Sequence, residues 1–149
     1  MNYEEIENKT KKENTNQVFL QGVVETEPQF NHTSFDEDFY TFNLKVARLS
    51  GQYDILPINI SSHLTGFADL KIGKRIALNG QFRSHNMLDE QNKSRLILCV
   101  FCKELCELDE NANPNVIELC GYICKDPIFR VTPFNRQICD LLLAVNRQY

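Results

Sequence analysis

The chain has 149 residues, 42% hydrophobic and 24% charged, with a formal net charge of -4. This is enough for one buried core with an appendage, and the acidic balance excludes a uniformly basic nucleic-acid binder while leaving room for a local positive field. No apolar run approaches the ~20 residues of a membrane span. Met1-Asn-Tyr-Glu-Glu5 has neither the basic nor the apolar region of a secretory signal, so the expected compartment is the cytoplasm.

Residues 1–15 are polar, charged and aperiodic, and are expected to form a disordered arm. Val18, Leu20, Gly22 and Val24 then alternate with more polar neighbours, which predicts a strand, with Gly22 marking a bend. Tyr40, Phe42, Leu44 and Val46 predict a second strand with its core face on the even positions. Leu56, Ile58 and Ile60 predict a third, and Pro57, which lacks a backbone donor, puts that strand at an edge or opening. Ser62 to Leu70 has room for about two helical turns. Ile72–Arg83 and Ser94–Leu108 predict two long strands around the polar loop Asn86–Lys93. Asn111-Ala-Asn-Pro-Asn115 has the composition of a linker.

Residues 16–48 and 115–147 repeat one pattern at a constant offset of 99, with ten identities in 33 positions. The identical pairs include Leu20 and Leu119, Gly22 and Gly121, Pro28 and Pro127, Phe30 and Phe129, and Leu44 and Leu143. A period of that size is a domain length, not a solenoid unit. The expected division is therefore an arm at 1–15, a first module at 16–108, a linker at 109–115 and the opening part of a second module at 116–149. Five strands with a short helix between the third and fourth is the order of the oligonucleotide-binding (OB) fold. The expected class is all-β: a five-stranded Greek-key barrel followed by a partial second OB module, a β-hairpin whose exposed edges predict packing on the first barrel or a neighbouring chain.

Several segments resemble the bacterial single-stranded DNA-binding protein (SSB) family. Ile117-Glu-Leu-Cys-Gly-Tyr-Ile-Cys-Lys-Asp-Pro127 resembles the family's first strand and the turn after it. Arg130-Val-Thr-Pro133 and Leu143-Ala-Val-Asn-Arg147 resemble its next turn and second strand. Gly80-Gln-Phe-Arg-Ser-His85 resembles its fourth strand, and Asn16-Gln-Val-Phe-Leu-Gln-Gly22 its opening. The tandem arrangement is similar to two-module variants and to primosomal replication protein N. The resemblance implies an OB fold, single-stranded DNA as partner and a homodimer or higher oligomer.

Binding a single strand needs cations along the phosphate path and flat faces for unstacked bases. Between Asp69 and Asp89 the charge is one-sided, with Lys71, Lys74, Arg75 and Arg83 and no carboxylate. Lys45 has the polar parity of the second strand, and Arg48 follows it, free for phosphate or for a carboxylate at the barrel mouth. Tyr53 opens the third strand between Gln52 and Asp54 and is the expected exposed ring. Arg83 and His85 enter the long loop, and Lys93 and Arg95 return from it. The candidate nucleic-acid-binding set is Lys45, Arg48, Tyr53, Lys71, Lys74, Arg83, His85, Lys93 and Arg95. Phe19, Phe82 and Phe101 join it only if they face outward, and burial is the commoner fate of Phe82 and Phe101.

Cys99-Val-Phe-Cys102 has knuckle-like spacing, but residues three apart on a strand point to opposite faces, so no metal is expected. No Gly-rich phosphate loop or supported catalytic grouping is present, so neither cofactor nor enzymatic activity is expected. The expected function is non-sequence-specific single-stranded DNA binding in replication, recombination or repair. The alternative, favoured by the acidic balance and the lack of Trp, is an OB module for protein–protein assembly in a primosome or mobile-element replication complex.

Overall fold

The alternating residues of the first module form a closed sheet in the computed structural model, which describes residues 16–146. The expected disordered arm at 1–15 lies outside the described residues. Residues 17–117 form one compact unit. Its strands are β1 (Asn16–Val24), β2 (Gln29–Ser34), β3 (Glu37–Ala47), β4 (Tyr53–Ser61), β5 (Arg75–Leu88) and β6 (Ser94–Cys106), and β7 (Asn115–Leu119) begins within it. The sheet order is β2-β3-β4-β6-β5-β1-β7, with β1 also pairing β3.

That extra pairing closes the barrel. β1 lies antiparallel to β5 from Val18 opposite Gly80 to Val23 opposite Arg75, and then meets β3 at Val23 opposite Lys45 and Val24 opposite Leu44. Gly22 sits at the switch, where an added Cβ would collide with the Lys45 carbonyl, so only glycine lets the two backbones approach. The ring runs β1-β3-β4-β6-β5-β1, and its β4–β6 junction is parallel. This is the ring of an OB barrel. β4 joins β6 only from Ile58, opposite Val100, so Pro57 stands beside the opening, where a missing donor costs nothing.

The even positions fill the interior. Leu20, Phe42, Leu44, Ile58, Ile60, Leu78, Val100 and Cys102 are buried together, and Leu64, Phe67 and Leu105 pack against them. Each such side chain contributes roughly 1.5–3 kcal/mol relative to exposure.

The structure departs from expectation in three places. The 62–70 segment forms one 3-10 turn, Phe67–Asp69, instead of two α-helical turns. Gly66 precedes it at φ 95°, and the bonds from Phe67 N to Leu64 O and from Leu70 N to Phe67 O span three residues, which tightens the segment below α geometry. β2 was not anticipated. It pairs with β3 across a turn in which Phe35 and Asp36 both have positive φ, the conformation two-residue hairpin turns favour. β5 and β6 also run to Leu88 and Ser94, which leaves only Asp89–Lys93 as loop. Asp89 organises that turn by accepting from the backbone N–H groups of Gln91 and Lys93 at 2.9 Å each.

The second unit contains the described residues 118–146 and repeats the opening of the first. β8 (Tyr122–Ile123) pairs with β11 (Leu143–Ala144), and β9 (Ile128–Val131) with β10 (Gln137–Asp140). Ile123 opposite Leu143 matches Val24 opposite Leu44, and Phe129 opposite Cys139 matches Phe30 opposite Tyr40, each at an offset of 99. The bond from Cys124 N to Leu142 O (2.9 Å) likewise matches that from Glu25 N to Asn43 O (2.8 Å). A Cβ on Gly121 would strike the Ala144 carbonyl, as one on Gly22 would strike Lys45. The repeat therefore extends from side chains to backbone register.

Candidate nucleic-acid interface

Because side chains alternate along a strand, burying the even residues of β3, β4 and β6 turns their odd ones toward the other face, whereas on β5 the odd residues Ala77 and Gln81 are buried too, beside a register shift at Asn79 and Gly80. Register places Lys45 opposite Ile55, Asn59 opposite both Thr41 and Phe101, and Gln81 opposite Phe101. Arg83 lies opposite Cys99, His85 opposite Ile97, and Arg95 opposite Met87.

Two cation–ring pairs mark this face. The Lys45 ammonium stands 4.5 Å from the centre of the exposed Tyr53 ring. The Arg83 guanidinium lies over Phe101, with Cζ 3.7 Å from the ring centre. Phe101 continues into further rings: Phe39 is 6.0 Å away at a tilt of 44°, and His32 stacks on Phe39 at 4.9 Å and 14°. The guanidinium, two phenyl rings and imidazole form a row of flat groups crossing the sheet. Such groups carry unstacked bases, and the two cations suit phosphates beside them.

The predicted residues divide accordingly. Lys45 and Tyr53 come together at one end of β3 and β4, Arg83 stands apart over Phe101 on β5 and β6, and His85 and Arg95 lie further along the β5–β6 arm. Lys93 lies in the turn at the arm's tip, and Arg95 stands 3.5 Å from Asp89. Lys71 and Lys74 are exposed in the turn entering β5, where Gly73 N bonds Val24 O and Lys74 O accepts from Val24 N, so they are off the strands that carry the rings. Arg48 takes the carboxylate option: its Nε and Nη2 grip Asp54 at 2.8 and 2.5 Å. Hydrogen bonding to Arg48 holds the Asp54 carboxyl below its ordinary range, and the same bond raises the Arg48 guanidinium.

Phe82 packs against the core, whereas Phe101 faces outward between buried Val100 and Cys102. Phe39 and His32 were absent from the predicted set. Phe39 was recoverable, since it has the parity opposite to Tyr40 and Phe42. His32 lies on the strand that alternation did not reveal. Among the cysteines, Cys102 is in the core and Cys99 is on the opposite face of β6. Burial pushes the Cys102 thiol up to about 12. Among the described residues no helix is long and apolar enough to cross a membrane.

Neither a protein-family model nor a curated protein sequence matches the chain. Solved structures do. The N-terminal domain of PriB from Thermoanaerobacter tencongensis, whose structure is dimeric, is 38% identical, with 64% of this chain and 98% of that chain covered and a TM-score of 0.53. The chain belongs to the SSB/PriB family of OB-fold proteins. The wild-type single-stranded DNA-binding protein from Thermus aquaticus is 25% identical, covering 88% of this chain and 68% of that one, with a TM-score of 0.63. A deletion mutant of the same protein matches at 23% identity, with 88% and 69% covered and a TM-score of 0.64. This family member differs from a one-module barrel in carrying the second unit.

Proposed function

We propose that this SSB/PriB-family protein binds single-stranded DNA without sequence preference, in replication, recombination or repair, and does so as a homodimer or higher oligomer. The observation that carries the reading is the outer face of the first barrel, where Arg83 covers Phe101 and Lys45 covers Tyr53. The family relatives support it: one is named for single-stranded DNA binding and another has a dimeric structure. Bases stack on Tyr53, on Phe101 through the Arg83 guanidinium, and on Phe39. Lys45, Arg83, His85, Lys93 and Arg95 flank the phosphate path, with Lys71 and Lys74 as a more distant positive field. Arg48 serves chiefly to hold Asp54. The role is binding in the cytoplasm, with no catalytic step.

With this goes the division into a binding module at 16–108, a connector at 109–115 and a second repeat at 116–149. Titrating fluorescent oligo-dT at two salt concentrations tests the function. Affinity should fall steeply as salt rises, because each neutralised phosphate releases counterion. Absence of binding at low salt overturns it.

The alternative of a protein-assembly module draws on the exposed Met87, Leu88, Leu96 and Leu98 of the β5–β6 arm. If Arg83→Ala with Tyr53→Ala left oligo-dT affinity intact while breaking a partner complex, assembly would be the better reading.

A further inference from the structure

The amide side chains of the barrel sheet are not all served alike. Gln21 on β1 donates from Nε2 to the Asp109 carbonyl at 3.2 Å and accepts from the Asp109 N–H at 3.0 Å, and Asn79 on β5 donates to the Glu104 carboxylate at 2.8 Å. Asn59 on β4 and Gln81 on β5 differ. Asn59 Oδ1 and Gln81 Nε2 are enclosed by protein, and neither has a hydrogen-bond partner among the described residues. Gln81 is only 1% exposed, so bulk water does not serve its amide either. A buried donor or acceptor left without a partner costs free energy that folded proteins ordinarily avoid. Register brings both orphans to one place: Asn59 and Gln81 lie opposite Phe101, one on each side of it, and the Arg83 guanidinium stands over its ring.

We propose that Asn59 and Gln81 read the edges of one nucleobase held between the Phe101 ring and the Arg83 guanidinium. The inference rests on the single-stranded DNA reading and adds to it one position at which hydrogen bonding, as well as stacking, holds the base. Phenyl rings and guanidinium planes are both surfaces on which unstacked bases lie. In the free protein the two close on each other, with Cζ 3.7 Å from the ring centre, and the guanidinium, at the end of a long side chain, lifts to admit a base. β4 and β5 flank β6, which sets Asn59 and Gln81 two strand spacings apart, about 10 Å. That is roughly the span of one base with a hydrogen bond at each end. The orphaned atoms are an acceptor on Asn59 and a donor on Gln81, and the edge of an unpaired base offers groups of both kinds. Entry of a base therefore supplies the two hydrogen bonds that the free protein lacks, and this contact depends on the chemistry of the base where stacking depends only on its shape.

The test compares two fluorescent oligomers of equal length at low salt. One is oligo-dT, and in the other every thymine is replaced by difluorotoluene, which has the shape of thymine without its strong hydrogen-bonding groups. The unaltered chain should bind oligo-dT more tightly. Gln81→Met and Asn59→Leu should each narrow that preference roughly 2- to 10-fold, by weakening oligo-dT binding and leaving affinity for the isostere unchanged. Urea unfolding of Gln81→Met without DNA separates this role from a structural one. Its midpoint should hold or rise, because an apolar group of similar size replaces an unsatisfied polar one. An unchanged preference in both variants overturns the proposal, as does a lowered midpoint for Gln81→Met. An unaltered chain that binds neither oligomer overturns single-stranded DNA binding itself, so the two failures are distinct.

Discussion

Arg83 combines a charge with a flat surface. Its planar guanidinium rests on Phe101, which sets one face of the cation against a ring. Arg83→Lys keeps the charge and loses the plane, so it should retain the salt dependence of oligo-dT binding but weaken affinity. Phe101→Ala should cost about 1–3 kcal/mol, roughly a 5- to 150-fold weaker dissociation constant by fluorescence titration. Lys45 and Arg48 lie close in sequence and should behave oppositely. Lys45→Ala removes a cation that has no carboxylate partner among the described residues and should reduce the slope of log affinity against log salt by about 0.7. Arg48 is already neutralised, so Arg48→Ala should leave the slope nearly unchanged, and Asp54→Asn, which frees the guanidinium, should steepen it. Cys102 provides a chemical marker of the core. With its thiol pushed up to about 12 by burial, it has almost no thiolate at pH 8, and it should resist alkylation until the barrel unfolds. Exposed Cys120, Cys124 and Cys139 should react first, as peptide mapping would reveal.

At the scale of elements, β1 depends on the glycine that lets it leave β5 for β3. Gly22→Ala forces a Cβ into the Lys45 carbonyl and should cost roughly 3 kcal/mol, read as a lower urea midpoint. Much of this architecture was legible in the sequence. Strict alternation on β1, β3 and β4 gave both the strands and their buried faces, since a half-buried strand must alternate. The same parity would have turned Phe39 and Phe101 outward, but an aromatic ring is more often core, and that general tendency concealed two members of the row. β2 was hidden for a different reason. Gln29–Ser34 lies at the sheet edge with no residue fully buried, so nothing imposed a pattern on it. The helix was overestimated because residues 62–70 can turn, but Gly66 in a left-handed conformation makes the turn a tight one. Pairing distances between cations and rings depend on register across three strands, which no local window contains.

For the whole molecule, the offset of 99 means that one chain carries two near-equivalent versions of the same barrel opening. Residues 16–47 and 115–146 share register, crossing glycine and most apolar positions, so both can dock on β4, β5 and β6 while the chain is still finding its fold. Only one docking yields the native barrel. The other is a strand-exchanged decoy that must be undone before folding finishes, a kinetic trap built from native-like contacts. Refolding from urea should therefore show a slow phase whose rate is independent of protein concentration. Gly121→Ala, which spoils the competing crossing, should shrink its amplitude in stopped-flow fluorescence and leave the first barrel's stability unchanged. Internal duplication thus gives the chain a folding choice, and fidelity rests on how much better Phe42 fills the barrel than Leu141 does.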